Sequence, residues 1–193
     1  MKILLSRWPA VASAALAIFL AIACTSDGSR CTALPGGSHY CLQTTASIVS
    51  FDVQQKVNVV LDGRQETLIA QLEVDSDGMR FVGVTPFGQK LVQLTFDNDR
   101  VRVETSLLQG VDPILLLALV QVATWPGERV RAGLGDSALV DDAEGLRRLV
   151  KDGRDLVLIR YAGGRPPLGD MSIHLPGAGV DCTIESLKAI DTE

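Results

Sequence analysis

The residues of this 193-residue chain with the most chemistry to offer are its four cysteines, and their surroundings assign them different tasks. Cys24 stands at the end of an apolar run from about Ala10 to Ile22, behind the basic residues Lys2 and Arg7. The run is too short for a spanning helix, which needs about 20 apolar residues, and has the basic, apolar and small-residue order of a signal peptide. A thiol directly after Leu20-Ala21-Ile22-Ala23 gives the segment the form of a lipoprotein processing site. There the sulfur takes a diacylglycerol, the chain is cut before Cys24 and the new amine is acylated. With each buried methylene contributing about 0.8 kcal/mol, a triacyl anchor of this kind is effectively permanent. Thr25 stands where an Asp would resemble an inner-membrane retention signal, so outer-membrane sorting is expected. The expectation is a signal peptide over residues 1–23 and a body held by Cys24 on the periplasmic face of the outer membrane. These acyl groups are the only covalent additions expected, and no cofactor is expected.

Cys31 and Cys41 bracket the turn-prone Pro35-Gly36-Gly37, and an oxidising compartment favours their pairing. Cys182 is left as a free thiol; it alternates with Val180 and Ile184 against Asp181, Thr183 and Glu185, the pattern of a buried strand position. Other constellations fall short of a reaction. Ser38-His39 are sequence neighbours, which does not make a nucleophile and base, and no Gly-x-Ser-x-Gly elbow is present. His39 with Cys31 and Cys41 lacks a fourth zinc ligand, so no metal is expected. Asp75/Asp77 and Asp97/Asp99 lie between alternating segments where Asp makes turns, Asp141-Asp142 reads as a solvated turn, and His174 reads as a surface residue. The chain is expected not to be an enzyme.

Composition narrows the partners. The full chain carries 18 basic and 23 acidic residues, and removing residues 1–23 takes away two basic residues and no acidic one. An acidic body is the opposite of a nucleic-acid footprint, so nucleic acid is excluded as a partner. The remaining length suits one domain with a sizeable core.

Residues 24–45, rich in Ser, Thr, Gly and Pro, are expected to be a lipidated tether, with the folded domain over 46–193. From Phe51 to Leu61 apolar and polar residues alternate, and the alternation resumes at Leu68, Ala70, Leu72 and Val74 after the Asp62-Gly63 turn. Strands follow over Met79–Val84, Lys90–Phe96 and Val101–Val103. The period then changes. Asp112 suits a helix cap, Pro113 the first helical position, and Ile114 to Ala123 is apolar except for Gln121. Trp125-Pro126 stops this helix, a short second one is expected over Glu128–Leu134, and strands return at Leu139, Arg147, Leu156, Met171 and Val180. About ten antiparallel strands interrupted by one apolar helix predict a mainly β (α+β) domain, a curved sheet wrapped around a helix that must be covered on all sides.

Three short motifs in this order give the chain, over roughly Ser47 to Leu187, a resemblance to a known family. They are Thr85-Pro86-Phe87-Gly88 between strands, the central helix ending at Trp125-Pro126, and Gly145-Leu146-Arg147-Arg148-Leu149 ahead of Val157-Leu158-Ile159-Arg160-Tyr161. In these the chain resembles the LolB-like outer-membrane lipoproteins, and more closely a poorly characterised lipoprotein family with the LolA/LolB-type fold. The resemblance implies an incomplete antiparallel β-barrel with the apolar helix filling or lidding its concave face. It also implies an apolar cavity that takes the acyl chains of a lipoprotein or glycolipid and assists their transfer or insertion into the outer membrane. Phe51, Val53, Val57, Val59, Leu68, Leu72, Ile114, Leu117 and Trp125 are the expected cavity residues. Pro86, Phe87 and Gly88 form the expected membrane-inserting loop. The implied partners are the membrane, the acylated cargo and a LolA-like periplasmic carrier. The alternative is a structural or docking lipoprotein with a sealed core and no lipid cargo.

Overall fold

A computed structural model of the chain describes residues 30–61, 63–108, 111–135, 138–163, 166–167 and 169–189. The expected signal peptide and Cys24 lie outside the described residues, as does Asp62 of the expected Asp62-Gly63 turn. Two strands, β1 (Cys31–Leu34) and β2 (Ser38–Cys41), form a small hairpin. A meander of five strands follows: β3 (Phe51–Leu61), β4 (Arg64–Asp75), β5 (Gly78–Val84), β6 (Lys90–Phe96) and β7 (Val101–Ser106). Helices α1 (Pro113–Thr124) and α2 (Gly127–Leu134) lead into a second meander of β8 (Leu139–Ala143), β9 (Leu146–Lys151), β10 (Arg154–Ala162), β11 (Asp170–Leu175) and β12 (Val180–Ala189).

The last strand pairs with the first of the meander, Cys182 opposite Val59 and Ile184 opposite Val57, so the two meanders join into one antiparallel sheet. Its order is β7-β6-β5-β4-β3-β12-β11-β10-β9-β8, and β7 and β8 remain its edges. The sheet is therefore mostly β, large and not closed. Its curvature follows from reach. Strands lie about 4.8 Å apart, so β7 and β9 would be about 40 Å apart in a flat sheet, whereas twelve helical residues span about 18 Å. Yet α1 packs against β7 and is also bonded, at its C-terminal end, to Arg147 of β9. Only a strongly bent sheet permits both.

Alternation places Leu68, Ala70, Leu72 and Val74 of β4, Val92, Leu94 and Phe96 of β6, and Met171, Ile173 and Leu175 of β11 in the core. The Asp pairs are turn residues. Asp75 Oδ1 accepts from the N–H groups of Asp77 and Gly78 (2.8 and 3.0 Å), and Asp97 Oδ1 from those of Asp99 and Arg100 (3.1 and 2.9 Å). The latter pair of bonds holds the Asp97 carboxyl below its usual range.

Three expectations need correction. The tether does not extend to residue 45: from Cys31 the chain is folded, and Leu34, Tyr40, Leu42 and Thr45 are buried. Two four-residue strands alternate for too few residues to stand out from a Ser- and Gly-rich background, but Ser38, Tyr40 and Leu42 share one face. The reason the hairpin is core is α2: a Cβ on Gly133 would come within 2.6 Å of the Tyr40 ring and 2.9 Å of the Cys41 carbonyl, so only glycine admits this approach. Second, α1 is not covered on all sides. Third, Asp142 belongs to β8 and is paired with Arg147, not held in a solvated turn.

Candidate functional site

Helix α1 is the element to which the rest of the fold is fitted, and polar bonds fix it along its whole length. At its start Asp112 accepts from the Ile114 N–H (2.9 Å) and from the Thr32 hydroxyl of β1. In the middle Gln121, fully buried, has each amide atom in use. Its Oε1 accepts from Tyr40 Oη (3.1 Å) and the Gln43 N–H (2.8 Å), while its Nε2 donates to the Gln43 carbonyl (2.9 Å) and reaches Met79 Sδ (3.3 Å). Burial raises the Tyr40 phenol well above its ordinary pKa, with Arg147 and Arg129 pulling the other way, so it remains a neutral hydrogen-bond donor.

At the end of α1 the sheet supplies the cap. Arg147 Nη1 donates to the carbonyls of Val122 and Trp125 (2.7 Å each), and its Nε and Nη2 hold the Asp142 carboxylate at 2.7 and 3.2 Å. Tyr161 Oη donates to the Ala123 carbonyl (2.8 Å). A helix end leaves its last carbonyls without intrahelical partners, and here three of them are met by side chains from β9 and β10. A cavity of about 520 Å³ lies against this end, with Trp125, Pro126, Leu146, Arg147, Tyr161 and Pro166 among its walls.

So pinned, α1 turns Leu117, Ala118, Gln121 and Val122 into the core and leaves Ile114, Leu115, Leu116, Leu119 and Val120 half-buried. Half-buried apolar side chains also remain on the core face of the central strands, at Val57, Val180, Cys182 and Ile184. Helix and sheet thus keep an incompletely covered apolar band, more than the interior absorbs. Of the expected cavity residues, Val53, Leu68, Leu72, Leu117 and Trp125 are buried in the core, whereas Phe51, Val57, Val59 and Ile114 are half-buried. Trp125 alone of the nine lines the 520 Å³ cavity. The half-buried leucines Leu115, Leu116 and Leu119 carry no sequence signal that separates them from ordinary core positions, and the motifs that hold Arg147 and Tyr161 do not bring them together with Asp142.

Cys31 and Cys41 are joined by a disulfide (S–S 2.04 Å). Cys182 is a free thiol, half-buried instead of fully enclosed, and burial pushes it up to about 12. In the loop between β5 and β6 the Gly88 N–H donates to the Thr85 carbonyl (2.9 Å) and the Thr85 N–H to the Gln89 carbonyl (2.8 Å). Pro86 occupies the second turn position, where its fixed φ suits the turn, and Gly88 takes φ +84°, which favours glycine. Phe87 between them is 98% exposed.

Fold and site together define a mainly β domain whose unclosed antiparallel sheet cradles an apolar helix. The chain belongs to the family described as "Protein of unknown function (DUF3261)", whose model matches residues 52–188. No curated protein matches it. Among solved structures it is similar to a domain from Vibrio parahaemolyticus described as a candidate outer membrane lipoprotein-sorting protein domain. The identity is 8%, the TM-score 0.38, and the match covers 73% of this chain and 84% of that one.

Proposed function

We propose that this protein is a lipid-anchored, non-enzymatic acyl-chain binder of the cell envelope. Held at the outer membrane by Cys24, it takes the acyl chains of a lipoprotein or glycolipid against its apolar band and passes them to the membrane. A LolA-like carrier is the proposed donor. The observation that carries the reading is the outward face of α1, where Ile114, Leu115, Leu116, Leu119 and Val120, over about two turns, stay half-buried although the helix is pinned at both ends and in the middle. A soluble domain with no apolar ligand gains by covering such a face, since each Å² removed from water contributes about 25 cal/mol. Transfer makes and breaks no covalent bond, which suits side chains arranged for packing and capping. The exposed Phe87, held outward by its turn, is the proposed contact with the accepting membrane.

A fluorescent fatty-acid probe tests the reading. The full chain should bind it saturably, and Leu119→Glu should abolish binding in a protein whose circular dichroism is unchanged. Leu119 is the better test than Leu117, which is fully buried, so that a carboxylate there would unfold the domain. Probe binding that survives Leu119→Glu in folded protein would overturn the proposal. The complete burial of Val53, Leu72, Leu117 and Trp125 favours a second reading, a docking lipoprotein with a sealed core, and predicts no saturable binding by the unsubstituted chain.

A further inference from the structure

The described chain begins at Arg30, and its first contacts fix it beside α1. The Arg30 carbonyl accepts from the Leu42 N–H (2.7 Å), Leu42 is fully buried, and Gln43 after it is bonded to Gln121 of α1. Two residues past Arg30, the Thr32 hydroxyl donates to Asp112, the cap at the start of that helix. The half-buried Leu116 and Leu119 stand four and seven positions past Asp112, about 6 and 10 Å along the helix axis. The chain therefore enters the fold at the helix that carries the apolar band.

Cys24 stands six positions before Arg30, and six residues extend at most about 20 Å. That reach matches α1, whose twelve residues span about 18 Å. Between Cys24 and Arg30 the residues Thr25-Ser26-Asp27-Gly28-Ser29 include no apolar side chain, so acyl groups on Cys24 are the apolar matter this stretch brings to the domain. A linker this short holds what it carries at an effective concentration on the order of 1 mM. Long acyl chains dissolve poorly in water, so a cargo arriving from the aqueous phase competes from far below that concentration.

We infer that the protein's own anchor occupies the band when the chain is off the membrane: an acyl group on Cys24 folds back over Leu115, Leu116 and Leu119, and leaves them when the anchor enters a bilayer. Insertion prevails at the membrane because a bilayer takes all the acyl groups of the anchor together, whereas one helix face does not. The band is thereby closed to cargo in transit and opened by anchoring. The inference rests on the acylation of Cys24 and on the band proposed above as an acyl site; it adds which acyl chain lies there first and what removes it.

Photocrosslinking in the processed, acylated chain tests it, with Leu119→benzoylphenylalanine and Leu116→benzoylphenylalanine on the band and Val60→benzoylphenylalanine, exposed on the opposite face of β3, as the control. In detergent-free buffer, trypsin should release the peptide bearing position 119 or 116 joined to the acylated Cys24–Arg30 peptide. A mixture of ¹⁵N-labelled and unlabelled protein should show that both belong to one chain, and Val60 should give no such product. Deuterated palmitate added at about 10 μM, against an anchor at an effective 1 mM or so, should crosslink about 100-fold less than the anchor. In phosphatidylethanolamine–phosphatidylglycerol vesicles the self-product should disappear and palmitate should take its place. Inserting about thirty Gly and Ser residues after Ser29 lengthens the linker about sixfold and should shift the competition in buffer about fifteenfold toward palmitate. Palmitate crosslinked at the band without a self-product in buffer would overturn this inference and leave the proposed function standing. A product joining two differently labelled chains would give the band to a second copy and overturn it as well, and a self-product unchanged in vesicles would overturn release by the membrane. Neither crosslink at either position would count against the proposed function too, and a Cys24–Arg30 peptide without acyl groups would remove the anchor on which both depend.

Discussion

Removing Arg147 should loosen α1 from the sheet, and the structure sets the size of the effect. Its guanidinium serves three groups at once: the carbonyls of Val122 and Trp125, and the carboxylate of Asp142. Arg147→Ala removes four hydrogen bonds and leaves two carbonyls at the end of a buried helix, each costing about 1–3 kcal/mol when unsatisfied. The Asp142 side chain is 35% exposed and can rehydrate, so its share is smaller. The total expected is about 3–5 kcal/mol, in the range seen when one partner of a buried ion pair is deleted. For a domain of this size that is a fall of about 6–20 °C in Tm. Asp142→Asn should cost about 1 kcal/mol, because Arg147 keeps both carbonyls. Arg147→Lys should fall between them, since an ammonium cannot reproduce the planar fork. Urea unfolding of the three variants, read by circular dichroism, measures the order. An Arg147→Ala variant within 1 kcal/mol of the parent, or less destabilised than Asp142→Asn, would refute the assignment of Arg147 as the cap of α1.

Other substitutions follow from the same geometry. Phe87→Glu should leave stability within about 0.5 kcal/mol, because the ring is almost wholly in solvent, while a core Phe truncated to Ala costs about 3–5 kcal/mol; thermal melts separate the cases. Breaking the Cys31–Cys41 bond by Cys41→Ser should cost about 2–3 kcal/mol through the freed loop, seen as a matching loss on reduction of the parent but not of the variant. Cys182, raised from 9.0 to about 12, should react with iodoacetamide at pH 8 about 10³-fold more slowly than an ordinary thiol and recover on unfolding. Because its folded pKa lies above its unfolded one, the stability it contributes is complete below pH 9 and is lost as pH rises from there toward 12.

How much of this was legible in the sequence depended on the length over which each pattern ran. The long strands of the meanders repeat their two-residue period often enough to fix both the element and its buried face: Lys90–Phe96 coincides with β6, and Phe51–Leu61 with β3. Asp112-Pro113 and Trp125-Pro126 bound α1 because capping and proline chemistry act locally, and the helix occupies the interval between them. The β1–β2 hairpin offered neither length nor a cap. Its evidence was distributed between Tyr40 and a glycine more than ninety residues away whose missing Cβ makes room for the ring, and no local reading brings those two together.

The apolar run of α1 shows the same limit from the side of function. Periodicity finds a face by the contrast between apolar and polar positions, and a helix that is apolar at every position but Gln121 provides almost none. What orients it is the exception. A buried amide with four partners admits one rotation about the helix axis, and that rotation sends Leu117 inward and Leu119 outward. Gln121→Leu removes the constraint while keeping the volume, but it strands Tyr40 Oη and the backbone of Gln43, so the expected loss is about 2–4 kcal/mol in a helix whose sequence is more hydrophobic than before. A lone polar residue in an apolar helix is thus the position from which the exposed band is set, and the face proposed to bind acyl chains is legible only once its partners on the hairpin are known.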